Sequence, residues 1–310
     1  MIDASTAAPA ARDESEAARL MRRATLASVA VALILIVAKL AAFLVTDSVA
    51  ILSTLVDSLL DALASLLNLV AVRHALQPAD REHRFGHGKA EALAGLGQAG
   101  FIAGSAAFLL FEAGRRLISP QPLAAETVGI GVMVASIVLT IGLVRYQRYV
   151  IDRTRSVAIS ADSLHYKGDV LVNASVIVSL LAGAALGWTW LDPAFAIAIA
   201  GYIAYCAWQI LREVLNVLMD RELPDVERAQ IRKIALAHSE VRALHDLRTR
   251  RSGMMTFIQF HLELDGAIKL TRAHEISDEV EADVLAAFPG AEVIIHQDPA
   301  GIEEGHVRFG

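Results

Sequence analysis

The sequence predicts a six-span α-helical membrane protein that ends in a small cytoplasmic α+β domain. Hydrophobic residues make up 55% of the 310-residue chain, against 20% charged. They fall in runs about as long as a bilayer core is thick, and the composition turns polar from Asp220 onward. A soluble domain of this size carries about 25% charge, and the mean hydropathy here is +0.48. An ordinary soluble enzyme, a disordered chain and a nucleic-acid binder are therefore excluded. The last is also disfavoured by a net charge of -6 and a pI of 5.9. The single cysteine, Cys206, sits inside an apolar run, which leaves no disulfide framework and no thiolate zinc site. Any metal site must be built from His, Asp and Glu.

Residues 1–23 are rich in Ala, Asp and Glu and read as a mobile cytoplasmic tail. The apolar run after Arg22-Arg23 is too long for a secretory signal peptide, and no small-residue cleavage site follows it. Between residues 24 and 219 six runs are candidate spans: Leu26 to Val45, Val49 to Val72, Ala92 to Phe111, Val128 to Val144, Val170 to Trp190 and Ala194 to Leu211. The fourth is short, so its ends are expected to extend into flanking residues. Basic residues set the orientation. Arg22 and Arg23 precede span one, and Arg73, Arg81, Arg84 and Lys89 separate spans two and three. Arg145, Arg148, Arg153 and Arg155 separate four and five, and Arg212 and Arg221 follow six. Of the opposite loops, around Asp47, Pro120-Gln121-Pro122 and Trp190, only the second carries basic residues, Arg115 and Arg116. Both termini are expected in the cytoplasm.

Residues 220–310 hold 11 Lys+Arg against 17 Asp+Glu and six of the ten histidines. The pattern reads helix, strand, strand, helix, strand. Pro224-Asp225 opens a helix to about His238, with Pro at a first-turn position. Residues 243–250 and 255–264 flank Arg251-Ser252-Gly253, a hairpin signal. Thr271 to Ala287 is a second helix stopped by Pro289-Gly290, and Glu292 to His296 is a third strand. The expected product is a two-layer, ferredoxin-like α+β cytoplasmic domain.

Charged groups near a bilayer centre cost roughly 2.5–3.5 kcal/mol or more each. Span two nevertheless carries Asp57 and Asp61, four apart and so on one helix face. His165 and Asp169, again four apart, open span five. Three carboxylates and one imidazole suit a tetrahedral divalent ion such as Zn²⁺. Lys39 in span one either snorkels or pairs with a carboxylate. In the 255–264 strand, alternation sets Ile258, Phe260, Leu262 and Leu264 on one face and Gln259, His261 and Glu263 on the other. His261 therefore lies off the core face.

These pairs resemble the cation diffusion facilitator family. The stretch Gln77-Pro78-Ala79-Asp80 through Phe85-Gly86-His87-Gly88-Lys89-Ala90-Glu91 resembles its bacterial ferrous-iron/zinc efflux subgroup, as do Leu244 to Arg250 and Ile294 to Pro299. The resemblance runs from about Arg22 to Pro299. It implies a homodimer in the bacterial inner membrane that exchanges a cytoplasmic divalent metal for protons. The expected metal is Zn²⁺, with Cd²⁺ and Fe²⁺ as alternatives. It implies a transport site at Asp57, Asp61, His165 and Asp169, and a loop zinc site at Asp80, His83 and His87. A binuclear cytoplasmic site is implied at His245, His261, His296 and Asp298, joined by His274, and a junction ion pair at Lys89 and Asp220. His238 and His306 match no motif position. The expected protein is a transporter and not an enzyme. The alternative is a non-transporting metal sensor that signals through its cytoplasmic domain.

Overall fold

The computed structural model describes residues 4–118, 127–186 and 191–301. The turn at Pro120-Gln121-Pro122, the loop at Trp190 and His306 lie outside the described residues. Two compact units divide the chain: one spans 17–215, the other 216–310 together with 1–16.

Six long helices build the first unit: α1 (Ala4–Thr46), α2 (Val49–Ala75), α3 (Lys89–Ile118), α4 (Thr127–Thr154), α5 (Val157–Leu186) and α6 (Leu191–Leu218). Among the described residues five of them, all but α5, are long and apolar enough to cross a membrane. Helix α5 carries Asp162, Lys167 and Asp169 in its first half, and the predicted end of span five falls on residues 187–190, outside the description. Large apolar side chains such as Leu33, Val37, Leu63, Val70, Phe108 and Phe111 are exposed on these helices. Such a surface is stable against lipid and not against water.

The fourth span extends into its flanking residues as expected, and two other expectations are corrected. The N-terminal tail is helical from Ala4 and continuous with span one, as its Ala, Glu and Arg residues, all strong helix formers, favour. Span four extends to Thr154, so Arg145, Arg148 and Arg153 ride on α4. Only Arg155 (φ 51°) and Ser156 separate α4 from α5, and α5 begins eight residues before His165. The early start is possible because Ser156 and Asp162 find hydrogen-bond partners inside the bundle. Ser156 Oγ accepts from Ile159 N at 3.3 Å and donates to the buried Glu91 carboxylate of α3.

Helix α5 packs on α2, α3 and α4. A Cβ on Gly95 of α3 would meet Cγ2 of the buried Val214 of α6 at 2.7 Å, so a larger residue there requires Val214 to shift.

In the second unit the order is α7 (Asp225–Ala235), β1 (Ala243–Ser252), β2 (Met255–Leu264), α8 (Leu270–Ala287) and β3 (Ala291–Pro299). This is the ferredoxin-like order from its first helix onward. Pro224 is the N-cap of α7, and Gly253 (φ +60°) allows the tight β1–β2 connection. The sheet order is β1-β2-β3, with β1–β2 antiparallel and β2–β3 parallel. Leu244, Ile258, Phe260, Leu262 and Leu264 form its buried face with Ile231, Ile276, Val280 and Val284 of the helices. Each such side chain contributes roughly 1.5–3 kcal/mol when buried. The helices cover one face, which leaves the other for the polar alternate residues.

Candidate metal sites

Among the described residues three groups of His and carboxylate side chains bring ligand atoms within 4.8 Å of one another: Asp61 with His165 and Asp169, Asp80 with His83 and His87, and His245 with His261 and Asp298.

The first group joins α2 to α5. His165 Nε2 lies 2.9 Å from Asp61 Oδ1 and 4.0 Å from Asp169 Oδ2. His165 is buried, and Asp61 and Asp169 are half-buried. Asp57, expected as the fourth inward ligand, is not in the group and is exposed on α2 one turn before Asp61. Like charges one turn apart on a helix repel, which favours separating the two carboxylates. Lys39 Nζ donates to Thr54 O at 3.0 Å and Ser58 Oγ at 2.6 Å, tying α1 to α2 by hydrogen bonds.

Beneath this group lies a buried polar hub that sequence reasoning missed. Asp162, one turn before His165, accepts from Ser28 Oγ of α1 at 2.6 Å and from Gln147 Nε2 of α4 at 2.7 Å. Its other oxygen accepts from Gln98 Nε2 of α3 at 3.3 Å. Asp162, Gln98 and Gln147 are all essentially inaccessible. The next turn repeats the arrangement: Tyr166 Oη is 2.8 Å from Ser65 Oγ of α2 and donates to Ser28 O at 3.3 Å. Four helices thus set the rotation of α5, and with it the direction of His165. The available signal was the Asp-x-x-His spacing of 162 and 165, which a span starting at Val170 had placed outside the bundle.

The second group occupies the α2–α3 loop. Asp80 Oδ1 accepts from the backbone N–H of His83 at 2.6 Å and of Glu82 at 2.9 Å, a turn that folds the loop on its own carboxylate. These N–H groups, His83 first, hold the Asp80 carboxyl below the usual carboxylate range. Gly86 (φ +74°) supplies the left-handed position that returns the chain, and Gly86 N donates to His83 O at 2.9 Å. Asp80 then stands 3.4 Å from both His83 Nδ1 and His87 Nε2.

The third group lies on the open face of the sheet. Register aligns His245, His261 and His296 in one row across all three strands. Asp298, two residues further along β3 and buried, is the hub. Its Oδ2 lies 2.7 Å from His261 Nδ1 and 3.3 Å from His245 Nε2, and its Oδ1 3.1 Å from His296 Nε2. His245 Nδ1 is 3.1 Å from Glu263 Oε1, an ion-pair contact without hydrogen-bond geometry. The register shifts after His245, so that Asp246 and Leu247 oppose one residue of β2. Asp246 takes the left-handed conformation at this bulge (φ 47°), which Asp tolerates better than most residues. Its carboxylate faces His261 Nε2 at 3.8 Å, and the hydrogen bond from Arg248 holds it below the ordinary range. His274 stands apart on α8, exposed, with its Nδ1 3.6 Å from Asp278. Within one chain it is not brought to the cluster. Asp220 pairs with Arg250 at 3.4 Å, while Lys89 opens α3 in the other unit.

Borderline divalent ions fit these donors. Imidazole nitrogens and carboxylate oxygens converge, and both are donors that Zn²⁺ accepts. The buried Asp298 carboxylate would be costly among apolar atoms alone, and three imidazoles surround it.

Comparison with known proteins matches nearly the whole chain to a family. Residues 25–219 match the family described as the cation efflux transmembrane domain, and residues 223–300 match the cation efflux protein cytoplasmic domain. The cation-efflux pump FieF of Cronobacter sakazakii is 50% identical over 287 residues, covering 92% of this chain and 94% of that protein. FieF of Shewanella oneidensis is 48% identical over 283 residues, covering 91% and 95%. Among solved structures, CzrB in its zinc form is 36% identical over 27% of this chain and 98% of that one, with a TM-score of 0.26. The metal-bound C-terminal domain of the CzcD transporter from Thermotoga maritima is 27% identical over 26% of this chain and all of that one, with a TM-score of 0.25. The two matched regions together span residues 25–219 and 223–300, and the chain belongs to the cation diffusion facilitator family of divalent-cation efflux transporters.

Proposed function

We infer that the chain exports Zn²⁺ from the cytoplasm in exchange for inward-moving protons. It does so as a homodimer in a bacterial inner membrane, with both termini cytoplasmic. The observation that carries this reading is the 2.9 Å contact between His165 Nε2 and Asp61 Oδ1. A hydrogen bond between these two atoms holds one proton. A divalent ion needs the same nitrogen lone pair and the same carboxylate oxygen. Metal loading therefore expels the proton, and reprotonation expels the metal. Asp169 adds a second carboxylate, and Asp57 is assigned as the fourth ligand, reached by rotating its exposed side chain inward.

Imidazole among carboxylates suits Zn²⁺ and Cd²⁺, and Fe²⁺ accepts the same donors. Transport needs a site that opens to each side in turn as helices rock about it. The loop and cytoplasmic clusters are assigned auxiliary zinc sites, with His274 and His296 completing the second. Lys89 and Asp220 are assigned an interlocking ion pair at the junction of the two domains.

The test is flux in liposomes that contain only the purified protein, with Zn²⁺, Cd²⁺, Fe²⁺ and Mn²⁺ offered in turn and internal pH followed. Zinc uptake driven by an opposed proton gradient is expected. Flux indifferent to that gradient would remove the antiport mechanism. No flux of any metal would favour the non-transporting sensor.

A further inference from the structure

The loop cluster offers two imidazoles and one carboxylate, one donor short of the four that structural zinc sites use. The structure places a third imidazole beside it. His74, in the last turn of α2, packs on His87 with ring centroids 4.6 Å apart and planes at 64°. His83 packs on the same ring, also at 4.6 Å. Two imidazoles that share one zinc at 2.0–2.1 Å and tetrahedral angles have centroids about 5 Å apart, so both spacings suit a common ion.

His87 supplies a second observation. Its side chain is only 4% exposed. Nδ1 is buried without a hydrogen-bond partner among the described residues, and Nε2 faces Asp80 at 3.4 Å, too long for a strong hydrogen bond. A buried imidazole so poorly satisfied is costly, and a cation on Nε2 would satisfy that nitrogen, with the ring proton then on Nδ1. His74 is exposed, so its ring is free to swing. His74 is not among the residues whose ligand atoms lie within 4.8 Å of one another, so ligation requires its ring to turn toward the loop.

We propose that His74 is the fourth protein ligand of the loop site, closing Asp80, His83 and His87 into a four-ligand zinc site. The proposal rests on the loop cluster being a metal site. Four protein donors leave no open position for exchange, so the ion is held and not passed on. It ties the last turn of α2 to the loop that leads into α3. Asp61 lies 13 residues earlier on α2, or about 20 Å along the helix, so the two sites are separable by mutation. A purely structural alternative is a histidine at a helix C-terminus that interacts with the macrodipole, and it requires no metal.

The experiment uses the full-length protein in detergent, with Asp61→Ala, His261→Ala and His296→Ala leaving the loop as the tight site. Zn²⁺ affinity is measured by competition titration. Coordination is read from the X-ray absorption fine structure of bound Zn²⁺ and the visible bands of bound Co²⁺. Three imidazoles and four-coordinate geometry are expected. His74→Ala should reduce the imidazole count by one, shift the Co²⁺ bands and weaken binding by more than about 100-fold, since even outer-shell partners are worth roughly 10–100-fold. His74→Asp should restore four-coordination where His74→Gln does not. Loss of binding in His83→Ala with an unchanged spectrum and affinity in His74→Ala would overturn the proposal and leave the loop site standing. Unchanged binding in His83→Ala would remove the loop-site reading itself, and the proposal with it.

Discussion

His165 of α5 and Asp61 of α2 meet at 2.9 Å, across 104 residues of chain, and link the His165–Asp169 pair to the Asp57–Asp61 pair. The contact joins two donors that compete for a proton and for a metal. Asp61→Ala removes one anion from the site and leaves His165 without this partner. The variant should remain folded and lose zinc flux in liposomes by at least about 100-fold, a barrier change of roughly 3 kcal/mol. Flux like that of the wild type would show that transport runs through other residues.

Selectivity should follow the chemistry of position 165. His165→Asp makes the group all-carboxylate and harder, so transport should shift toward Mn²⁺ and away from Zn²⁺ and Cd²⁺. A change of about tenfold in the Mn²⁺:Zn²⁺ ratio is the expected size, corresponding to about 1.4 kcal/mol. Competitive flux with paired metals measures it, and an unaltered ranking would place selectivity in helix packing.

Removing the Asp162 hub should cost stability before it costs chemistry. Asp162→Ala leaves Ser28, Gln98 and Gln147 buried without their shared acceptor, a loss of roughly 2–4 kcal/mol. Thermal unfolding in detergent should show a lowered Tm. Asp162→Asn keeps one acceptor oxygen and should lose less than half as much. If the alanine variant melts with the wild type, the hub does not hold α5 in place.

The cytoplasmic cluster makes a different prediction, because it lies in a domain with no membrane span. His261→Ala with His296→Ala removes two of the three imidazoles around Asp298. Zinc bound per full-length chain should fall, and the zinc-dependent gain in dimer stability should shrink. Transport should slow by a few-fold and persist, unlike Asp61→Ala. Calorimetry and flux on the same preparation check both halves, and wild-type zinc affinity would refute the ligand assignment.

Arg248 gives the pH test. Its hydrogen bond keeps the Asp246 carboxyl below the ordinary carboxylate range. The folded state thus holds the proton less tightly than the unfolded state. The stabilisation is full above about pH 4, the ordinary value, and is lost as pH falls through the lower folded value. The stability gap between wild type and Arg248→Ala should be flat from pH 7 to about pH 4 and close below it, as followed by unfolding of the metal-free protein. A gap that widens in acid would show that another partner sets the Asp246 charge.

Much of this protein was legible from local pattern alone. Apolar runs marked the helices, the change of composition at Asp220 marked the second domain, and alternation separated His261 from the core face of β2. Four-residue spacing put Asp57 with Asp61 and His165 with Asp169 on common faces, because such spacing is a property of one helix. Which of those groups converge is not a local property. Rotation of α5, set by Asp162 against Ser28, Gln98 and Gln147, aims His165 at Asp61. The sheet register, with the bulge at Asp246, lines up three histidines from three strands around Asp298. The same packing leaves Asp57 exposed, sets His274 apart and lays His74 against His87. The elements and the candidate donor types are legible along the chain, since periodicity and residue chemistry are local. Which donors come together is settled by the packing, because it depends on distances across helices and strands that no spacing along the chain encodes.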